Sequence, residues 1–262
     1  MKYFSSILLL LACINSNTVW AWGQTGHRIT GQIAEQWLSP EAKIAIGNIL
    51  GPESLAEAST YPDDMRSAPG EFWQKTANPY HFVTLADGQH YHDTDCPPEG
   101  DSVSALKHFT RVLQRDDSTT ADKQLALRFI VHLIGDLHQP LHVSSAKVKD
   151  KGGNAVPVTF FKRQTNLHKV WDSDLIDQQQ LSFSEYASWL NAKITHEQHS
   201  NWSAGYYQQW VSESAALRDG VYPLSPELGW DYLYQHNPTV KVRLQQVGVR
   251  IAAHFNRVFS GN

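Results

Sequence analysis

The sequence is poor in cysteine, with two in 262 residues. One of them, Cys13, lies in an N-terminal stretch typical of an export signal, so the rest of the chain has only Cys96. A single cysteine excludes a disulfide within that part, although exported proteins are commonly stabilised by disulfides. A bound metal ion is the natural alternative as a stabilising element.

Long hydrophobic runs are also absent. The apolar run from Ile7 to Ala12 is far too short to span a bilayer. Lys2 precedes this run, and small residues at Val19 and Ala21 follow it, which predicts a signal peptide over residues 1–21. A lipoprotein attachment site at Cys13 is the alternative reading of the same segment. We therefore expect a periplasmic or secreted protein without stable membrane association.

The chain lacks an excess of positive charge and has no linker. Its formal net charge is −4, which argues against a wide basic surface for nucleic acid, so a nucleic-acid ligand would be held locally at a phosphate. No stretch rich in proline, glycine or serine divides the chain, and no repeat is visible. We therefore expect residues 22–262 to form one domain, with a monomer as the default.

Hydrophobic periodicity predicts a mainly α single-domain fold with a small β-hairpin. A capping serine followed by proline and an acid marks a helix start at residue 39, because these residues favour the first turn. The glycine-rich stretch 152–154 predicts a loop. Further helices are predicted over Ala121–Val143, Ser184–Thr195 and Val240–Phe259, a strand or hairpin over Ala155–Phe161, and a surface loop over Ala86–Asp101.

Histidine is abundant, with thirteen residues, and it recurs beside aspartate at helical spacing. His132 and Asp136 lie four residues apart, which puts both on one face of the predicted helix. Their neighbours are apolar, and a buried carboxylate or imidazole needs a partner or a metal ion. His168 and Asp172 repeat the spacing, and His142 lies between the two pairs. Imidazole and carboxylate are common zinc ligands, so we predict a metal site, although a surface ion pair is the alternative for each pair.

Four further residues indicate metal binding less specifically. Asp63 and His81 have suitable side chains, but each taken alone is more often structural. Cleavage after residue 21 would expose the α-amine of Trp22, whose pKa near roughly 8 lets it release its proton to a metal. The nearby glycines would let the chain bend and bring His27 to the same ion. An ordinary polar start of a helix near Arg28 is the alternative.

Taken together, these motifs resemble those of the zinc-dependent single-strand nucleases, the nuclease S1/P1 family. They occur in the family's order and cover the chain from Trp22 to Asp172, whereas the remainder carries no matching motif. The resemblance rests on Trp22-Gly23-x-x-Gly26-His27, Asp63 with Arg66, His81-Phe82, His132-Leu133-Ile134-Gly135-Asp136-Leu137-His138-Gln139-Pro140-Leu141-His142, Gly152-Gly153-Asn154, and Asn166-Leu167-His168-x-Val170-Trp171-Asp172.

The resemblance implies three zinc ions per chain, at the bottom of a cleft, with Asp136 shared by two of them. His138 would be structural, and the other histidines would be ordinary surface or core residues (His90, His92, His108, His196, His199, His236 and His254). The implied ligands are Asp63, His81, His132 and Asp136 for one ion, the amine and carbonyl of Trp22 with His27 and Asp136 for the second, and His142, His168 and Asp172 for the third.

The same resemblance implies hydrolysis of single-stranded DNA and RNA to 5′-phosphorylated products, with 3′-nucleotidase activity. Asp63 and Arg66 would be catalytic, with the arginine holding a phosphate oxygen of the transition state. Phe82 would stack on an unpaired base, and Asn154 would help to orient the phosphate. Thr84 stands where the family often has an acid or amide that binds the base, so base preference is expected to differ.

Two other functions fit parts of the pattern. A zinc-dependent phospholipase C has a similar zinc cluster and N-terminal tryptophan, but its last ligand motif ends in glutamate rather than at an aspartate like Asp172. A non-catalytic exported zinc-binding protein would need neither Arg66 nor Phe82 beside the cluster. Neighbouring aspartates, Asp63 and Asp64, leave open which of them is the ligand.

Overall fold

A computed structural model describes residues 22–85, 88, 90–92 and 96–260. The predicted signal peptide and part of the predicted 86–101 loop therefore lie outside the described residues. The described chain forms twelve α-helical segments, which are α1 (Gln24–Trp37), α2 (Pro40–Leu50), α3 (Leu55–Ala58), α4 (Tyr61–Asp64), α5 (Ser102–Gln114), α6 (Thr120–Asp136), α7 (Leu167–Lys169), α8 (Leu175–Asp177), α9 (Phe183–Asn191), α10 (His196–Ser203), α11 (Tyr207–Arg218) and α12 (Trp230–Phe259).

The strands are short and belong to two small sheets. β1 (Val83–Leu85) pairs in parallel with β2 (Val143–Ser145). β3 (Pro157–Phe160) and β4 (Arg163–Asn166) form an antiparallel hairpin, and β5 (Glu227–Leu228) adds to β3 in parallel. The prediction of a mainly α fold with a β-hairpin is therefore confirmed.

The helix α6 lies at the centre of the fold. Both ends of the prediction Ala121–Val143 need correction, because the helix begins one residue earlier, at Thr120, and ends at Asp136. Pro140 explains the early end, because proline lacks an N–H and disfavours helical geometry in the residue before it. A 3₁₀ turn over Pro140–His142 and the strand β2 replace the predicted last turns. This break turns the chain so that His142 can reach a different part of the site from Asp136.

Two other helix boundaries differ from the prediction. The helix predicted over Ser184–Thr195 ends at Asn191, and Thr195 instead caps the next helix by accepting a hydrogen bond from the Gln198 amide. The last helix begins at Trp230, ten residues before the predicted start at Val240, and contains Pro238. An interior proline costs a helix about 3 kcal/mol, so burial of side chains in this first part has to offset that loss.

Two apolar clusters hold the helices together. One surrounds α5 and α6 and includes Phe109 and Phe129, whose rings stack at 4.4 Å. The other joins the N-terminal segment to the hairpin region through Trp22 and Trp171, both fully buried. The metal-ligand candidates lie between these clusters, so the packing on both sides restrains them.

No helix in the part of the chain that the structure describes is both long and apolar enough to cross a lipid bilayer.

Candidate metal centre

Asp136 lies at the centre of the first group of candidate ligands. Its Oδ2 atom is 3.2 Å from both Nδ1 of His81 and Nε2 of His132. Oδ1 of Asp63 is 3.9 Å from the same two nitrogens. The structure thus brings together four residues from three distant parts of the sequence. Asp64, by contrast, is exposed and accepts hydrogen bonds from Gln24 and Thr60.

A second group uses the other oxygen of the same aspartate. Nε2 of His27 is 3.4 Å from Oδ1 of Asp136, and the His27 ring stacks on that of His132 at 4.1 Å. Trp22 is buried beside this group, and the next residue, Gly23, donates its amide to the Asp172 carbonyl at 2.7 Å. The N-terminal segment therefore lies against the metal-ligand candidates.

The third group lies on the hairpin side of the fold. His168 and Asp172 are at the four-residue spacing, with Nε2 and Oδ2 3.0 Å apart. His142 joins them, with its Nε2 3.6 Å from Oδ1 of Asp172. All three side chains are buried and offer ligand atoms close enough to share one ion. The residue pairs expected from the sequence are thus part of three buried His/Asp clusters that could hold metal ions.

Backbone carbonyls orient three of the histidines. Each carbonyl oxygen lies near the Nδ1 atom of one histidine, so that the Nε2 atom of the same ring faces the cluster. In metal sites this arrangement fixes the orientation of the ring and its tautomer. In the third cluster, the Gly152 carbonyl is 2.6 Å from Nδ1 of His168. Gly152 has a φ of +61°, and a Cβ there would lie 2.4 Å from the Leu141 carbonyl oxygen, so glycine is required. The other two contacts are His132 with the Ser59 carbonyl at 2.8 Å and His142 with the His81 carbonyl at 2.6 Å.

The charges in the clusters are strongly coupled. Burial lowers the pKa of His27 and of His81, and nearby His132 lowers both further. Burial also opposes protonation of His132, but Asp136 and Asp63 outweigh it and raise its pKa. The surrounding histidines hold the pKa of Asp136 well below its usual range, although burial acts in the opposite direction.

The donor set fits metal ions because it contains unsatisfied buried atoms. Both ring nitrogens of His27, both oxygens of Asp63, Oδ1 of Asp136 and Oδ2 of Asp172 are buried without a hydrogen-bond partner among the described residues. Leaving buried polar groups unpaired costs roughly 1–3 kcal/mol each, and more for charged groups. Divalent cations would satisfy these atoms and neutralise the carboxylates, which makes the clusters suited to metal binding.

Gln139 is a residue whose role the sequence did not reveal. It is fully buried, and its Nε2 donates to Oδ1 of Asp172 at 2.5 Å. Its Oε1 accepts from the Leu141 amide, which fixes the amide orientation. Gln139 therefore orients a carboxylate of the third cluster. Its position directly before Pro140 was visible in the sequence, but its partner is thirty-three residues away.

A buried ionic network supports the segment after α6. Nε2 of His138 is 2.8 Å from Arg250, and its Nδ1 is 2.7 Å from the Ile134 carbonyl. Arg243 donates to the His138 carbonyl at 2.9 Å. Glu213 accepts from both arginines, at 2.7 Å and 2.6 Å. His138 thus lies outside the three clusters and anchors the chain between Asp136 and His142.

The residues expected to bind substrate lie around the clusters. Nη1 of Arg66 is 3.5 Å from Oδ1 of Asp63, and Phe82 is 38% exposed directly after His81. Thr84 is exposed, and its hydroxyl lies 3.2 Å from that of Ser144 on β2. Asn154 donates to the Lys151 carbonyl at 2.9 Å and is half-buried. Only Arg66 directly contacts a residue of the clusters in the hydrogen bonds and ion pairs described.

A helical fold that gathers histidine and aspartate into adjacent buried clusters is the architecture of a multinuclear metal site. The S1/P1 nuclease family model matches residues 22–260. The chain is 30% identical to nuclease S1 of Aspergillus oryzae, over 92% of this chain and 93% of the relative. It is 31% identical to endonuclease 4 of Arabidopsis thaliana, over 99% of this chain and 95% of the relative. It is 32% identical to nuclease P1 of Penicillium citrinum, over 70% of this chain and 69% of the relative.

This chain therefore belongs to the S1/P1 nuclease family. It is a nuclease, a hydrolase that acts on phosphodiester bonds and takes nucleic acid as its substrate. The resemblance inferred from the motifs is confirmed.

Proposed function

We propose that this protein is a zinc-dependent endonuclease that cuts single-stranded DNA and RNA. The observation that carries the proposal is the position of Asp136, whose two oxygens face two different groups of histidines at 3.2 Å and 3.4 Å. A carboxylate shared in this way suits two ions held close together, as in two-metal phosphodiesterases. Membership of the S1/P1 family supports the same function.

Three zinc ions fit the three His/Asp clusters, and the nine residues inferred from the resemblance are the proposed ligands. The amine and carbonyl of Trp22 complete the second site in the chain that begins at this residue. When bound, the ions supply a Lewis acid for the phosphate and lower the pKa of a water molecule that attacks phosphorus.

Several residues of the chain position the substrate in this proposal. Arg66 would donate from its guanidinium to a non-bridging phosphate oxygen while Asp63 holds the other side of that group. A preorganised donor of this kind stabilises charge that develops in the transition state. Phe82 would stack on the base beside the scissile bond, and this requires an unpaired base. Thr84 and Asn154 would contact the base and the phosphate.

The proposed products are 5′-phosphorylated nucleotides, with removal of the phosphate from 3′-nucleotides as a second activity. We further propose that residues 1–21 are removed on export, which would free the Trp22 amine. The mature chain, as a single domain and a monomer, would then act in the periplasm or outside the cell. The motif resemblance supports the products, and the chemistry that the second cluster needs supports removal of residues 1–21. The export signal in the sequence supports the location, and the monomer is the default expectation.

The alternative as a phospholipase C is less well supported. The third cluster uses an aspartate, Asp172, four residues after His168, whereas the phospholipase motif ends in glutamate. The family match also extends over residues 22–260 and names nucleases. A non-catalytic zinc-binding protein has no need for Arg66 next to the cluster, where its Nη1 atom is buried without a hydrogen-bond partner among the described residues.

The decisive experiment measures release of acid-soluble nucleotides from single-stranded DNA and from RNA. The protein should begin at Trp22 and be assayed with bound zinc, after chelation, and after zinc is restored. We expect release that chelation abolishes and zinc restores, with 5′-phosphate ends on the products. A folded, zinc-loaded protein that releases nothing from either polymer, but hydrolyses phosphatidylcholine, would instead make it a phospholipase.

A further inference from the structure

The parallel sheet formed by β1 and β2 begins at the candidate metal centre on both strands. His81, of the first cluster, lies two residues before β1, and His142, of the third cluster, directly precedes β2. Nδ1 of His142 is 2.6 Å from the His81 carbonyl, which ties the starts of the two strands together. The surface of this sheet is therefore adjacent to a phosphate held between these clusters.

Side chains of this sheet point alternately to the core and to the surface, as strand geometry requires. Val83 and Val143 are paired across the two strands and are buried. Thr84 and Ser144 form the next pair and therefore lie on the opposite, outer face, with Thr84 exposed and Ser144 half-buried. Phe82 has extended backbone geometry two residues before Thr84, so its exposed ring lies on the same face. One aromatic ring and two hydroxyls thus line this face beside the clusters.

The hydroxyls of Thr84 and Ser144, which we call the hydroxyl pair, contact each other. Their oxygens are 3.2 Å apart, and either of them can be the donor. The Ser144 hydroxyl is also 3.4 Å from the Val83 carbonyl, a long contact that competes only weakly for its proton. Neither hydroxyl has a further hydrogen-bond partner among the described residues. Since a hydroxyl has one proton and two acceptor lone pairs, the pair retains both a donor and an acceptor for a ligand.

The direction of the shared hydrogen bond decides which hydroxyl offers the donor to a ligand. When Thr84 donates to Ser144, the Ser144 proton can point outward and the Thr84 oxygen accepts. When Ser144 donates, the roles are exchanged. Nucleobases differ in the order of donors and acceptors along their edges, and cytosine has an amino group where thymine has a carbonyl oxygen. The hydroxyl pair can therefore match either order, whereas a carboxylate could only accept.

We propose that Ser144 binds the base that stacks on Phe82, and that the hydroxyl pair lets this site accept different bases with similar affinity. The inference rests on the proposed nuclease function, because it concerns a nucleotide next to the bond being cut. It adds a residue that none of the sequence motifs contains, and it predicts broad base tolerance from the exchange of one proton. Ser144 acts on binding of the base, whereas the chemical step belongs to the clusters and Arg66.

The test compares single strands of equal length that contain only adenine, only cytosine, only thymine, or no base at all. The zinc-loaded protein that begins at Trp22 should cut the cytosine and thymine strands with kcat/KM values within about threefold of each other, since the hydroxyl pair matches both. It should cut the abasic strand about ten- to a hundredfold less efficiently, because the base stack is lost.

Two variants separate the hydroxyls from the base stack. Ser144→Ala should lower kcat/KM for each base-containing strand, relative to the abasic strand, by about two- to tenfold, the value of one neutral hydrogen bond. This loss should appear in KM. Thr84→Asp makes one side of the hydroxyl pair an acceptor only. It should therefore shift the ratio of kcat/KM for the cytosine strand over the thymine strand towards cytosine, by about two- to tenfold.

Ser188→Ala is the matched control, because it removes the same hydroxyl at an exposed position on α9. It should keep both ratios of the unmodified protein. Zinc analysis and circular dichroism show whether each variant keeps its metal and its fold. A variant that only disturbs the structure lowers cleavage of every strand, the abasic one included, and leaves the ratios unaltered.

The outcomes separate this proposal from the nuclease function. If the unmodified protein cuts none of the strands, the nuclease function itself fails. If it cuts them, but Ser144→Ala keeps the ratio of base-containing to abasic cleavage, Ser144 is not a base-binding residue. If Thr84→Asp keeps the ratio of cytosine to thymine cleavage, or the unmodified protein already discriminates strongly between these bases, the exchange of donor and acceptor is refuted. Changes in both ratios at full zinc content support the proposal.

Discussion

Gly135 lies directly against the ring of His27. A Cβ atom at Gly135 would be 2.9 Å from both Nδ1 and Cε1 of that ring, closer than side chains normally approach. This glycine is one residue before Asp136 on α6, so the helix brings the shared aspartate and the His27 ring together without a side chain between them. The close approach makes the second cluster sensitive to a single methyl group.

We expect Gly135→Ala to displace His27 and to weaken zinc binding at the second cluster. Metal analysis after dialysis should find close to one zinc fewer per chain, together with reduced nuclease activity. Gly47→Ala is the matched control, because it also replaces a helical glycine but has no neighbour within 4 Å. The control should retain zinc and gain about 0.5–1 kcal/mol in the free energy of unfolding. Full zinc content in Gly135→Ala would contradict this reading of the contact.

Replacing Gln139 with alanine should weaken the third zinc site. The change removes the hydrogen bond to Asp172 and leaves that carboxylate free to rotate. Loss of such a supporting contact commonly costs about 10–100-fold in metal affinity. When Gln139→Ala is titrated with a chelator, one zinc ion should leave at a lower chelator concentration than it does in the unmodified protein. Gln208→Ala, at an exposed position, should leave the titration unchanged, and identical curves for the two variants would rule out the positioning role.

Arg66→Gln should lower kcat by about one hundred- to a thousandfold. The guanidinium is proposed to stabilise the transition-state phosphate, and removal of a comparable donor has an effect of this size. Zinc content should stay near that of the unmodified protein, because the contact between Arg66 and the proposed ligand Asp63 is as long as 3.5 Å. Arg115→Gln removes an exposed arginine paired with Asp117 and serves as the control. An unaltered kcat in Arg66→Gln would exclude the arginine from catalysis.

A chain that keeps Ala21 should lose zinc from the second site. An amide nitrogen at Trp22 holds its proton at neutral pH, whereas a free α-amine gives it up to a metal. Two preparations of the same protein, one cut before Trp22 and one not, can be compared by zinc analysis and by activity. Proteolytic removal of the extra residues should restore both quantities. Equal zinc content before and after that cut would argue against a terminal amine ligand.

Acid should destabilise the fold partly through His254. Burial, followed by the charge of Arg257, lowers the pKa of His254 to about 4. The unfolded chain, with a histidine pKa near 6.5, therefore binds more protons than the folded chain between these values. Stability must then fall as the pH drops through this window, by about 3 kcal/mol in all from this residue, of which about 2 kcal/mol is lost between pH 7 and pH 5.

Urea unfolding at pH 7 and at pH 5 can test this contribution. His254→Gln should lose less stability on acidification than the unmodified protein, since the variant has no group to protonate there. Zinc release at low pH affects both proteins equally and cancels in the comparison. His196→Gln, at an exposed position, should behave like the unmodified protein. A His254→Gln variant with an undiminished pH effect would disprove the assignment.

Much of the candidate metal centre was visible in the sequence because its pairs are local. His132 with Asp136, and His168 with Asp172, follow from helical spacing and needed only a helix of one or two turns. The first strand of the hairpin was visible for a similar reason, but the second strand, Arg163–Asn166, lies beyond the predicted range Ala155–Phe161. The family resemblance then supplied the grouping of the more distant residues.

Other features depended on contacts that no local pattern reveals. The helix α12 extends back through Pro238 because burial of its first turns outweighs the cost of the proline. Gln139 donates to a carboxylate thirty-three residues away. Arg243 likewise contacts His138 and Glu213, which are both distant from it in the sequence. The sequence prediction of α6 also continued past Asp136, because apolar periodicity persisted where the backbone had already turned.

Periodicity and spacing in the sequence were thus enough for the fold class and for two His/Asp pairs, and the resemblance of the motifs indicated the family. The tertiary structure was needed to show that Asp136 faces two groups at once and that Gly135 makes room for His27. The physical reason is the range of the interactions. Hydrogen bonds and side-chain order within a helix depend on residues three or four positions away, whereas a metal cluster or a groove depends on where whole helices pack.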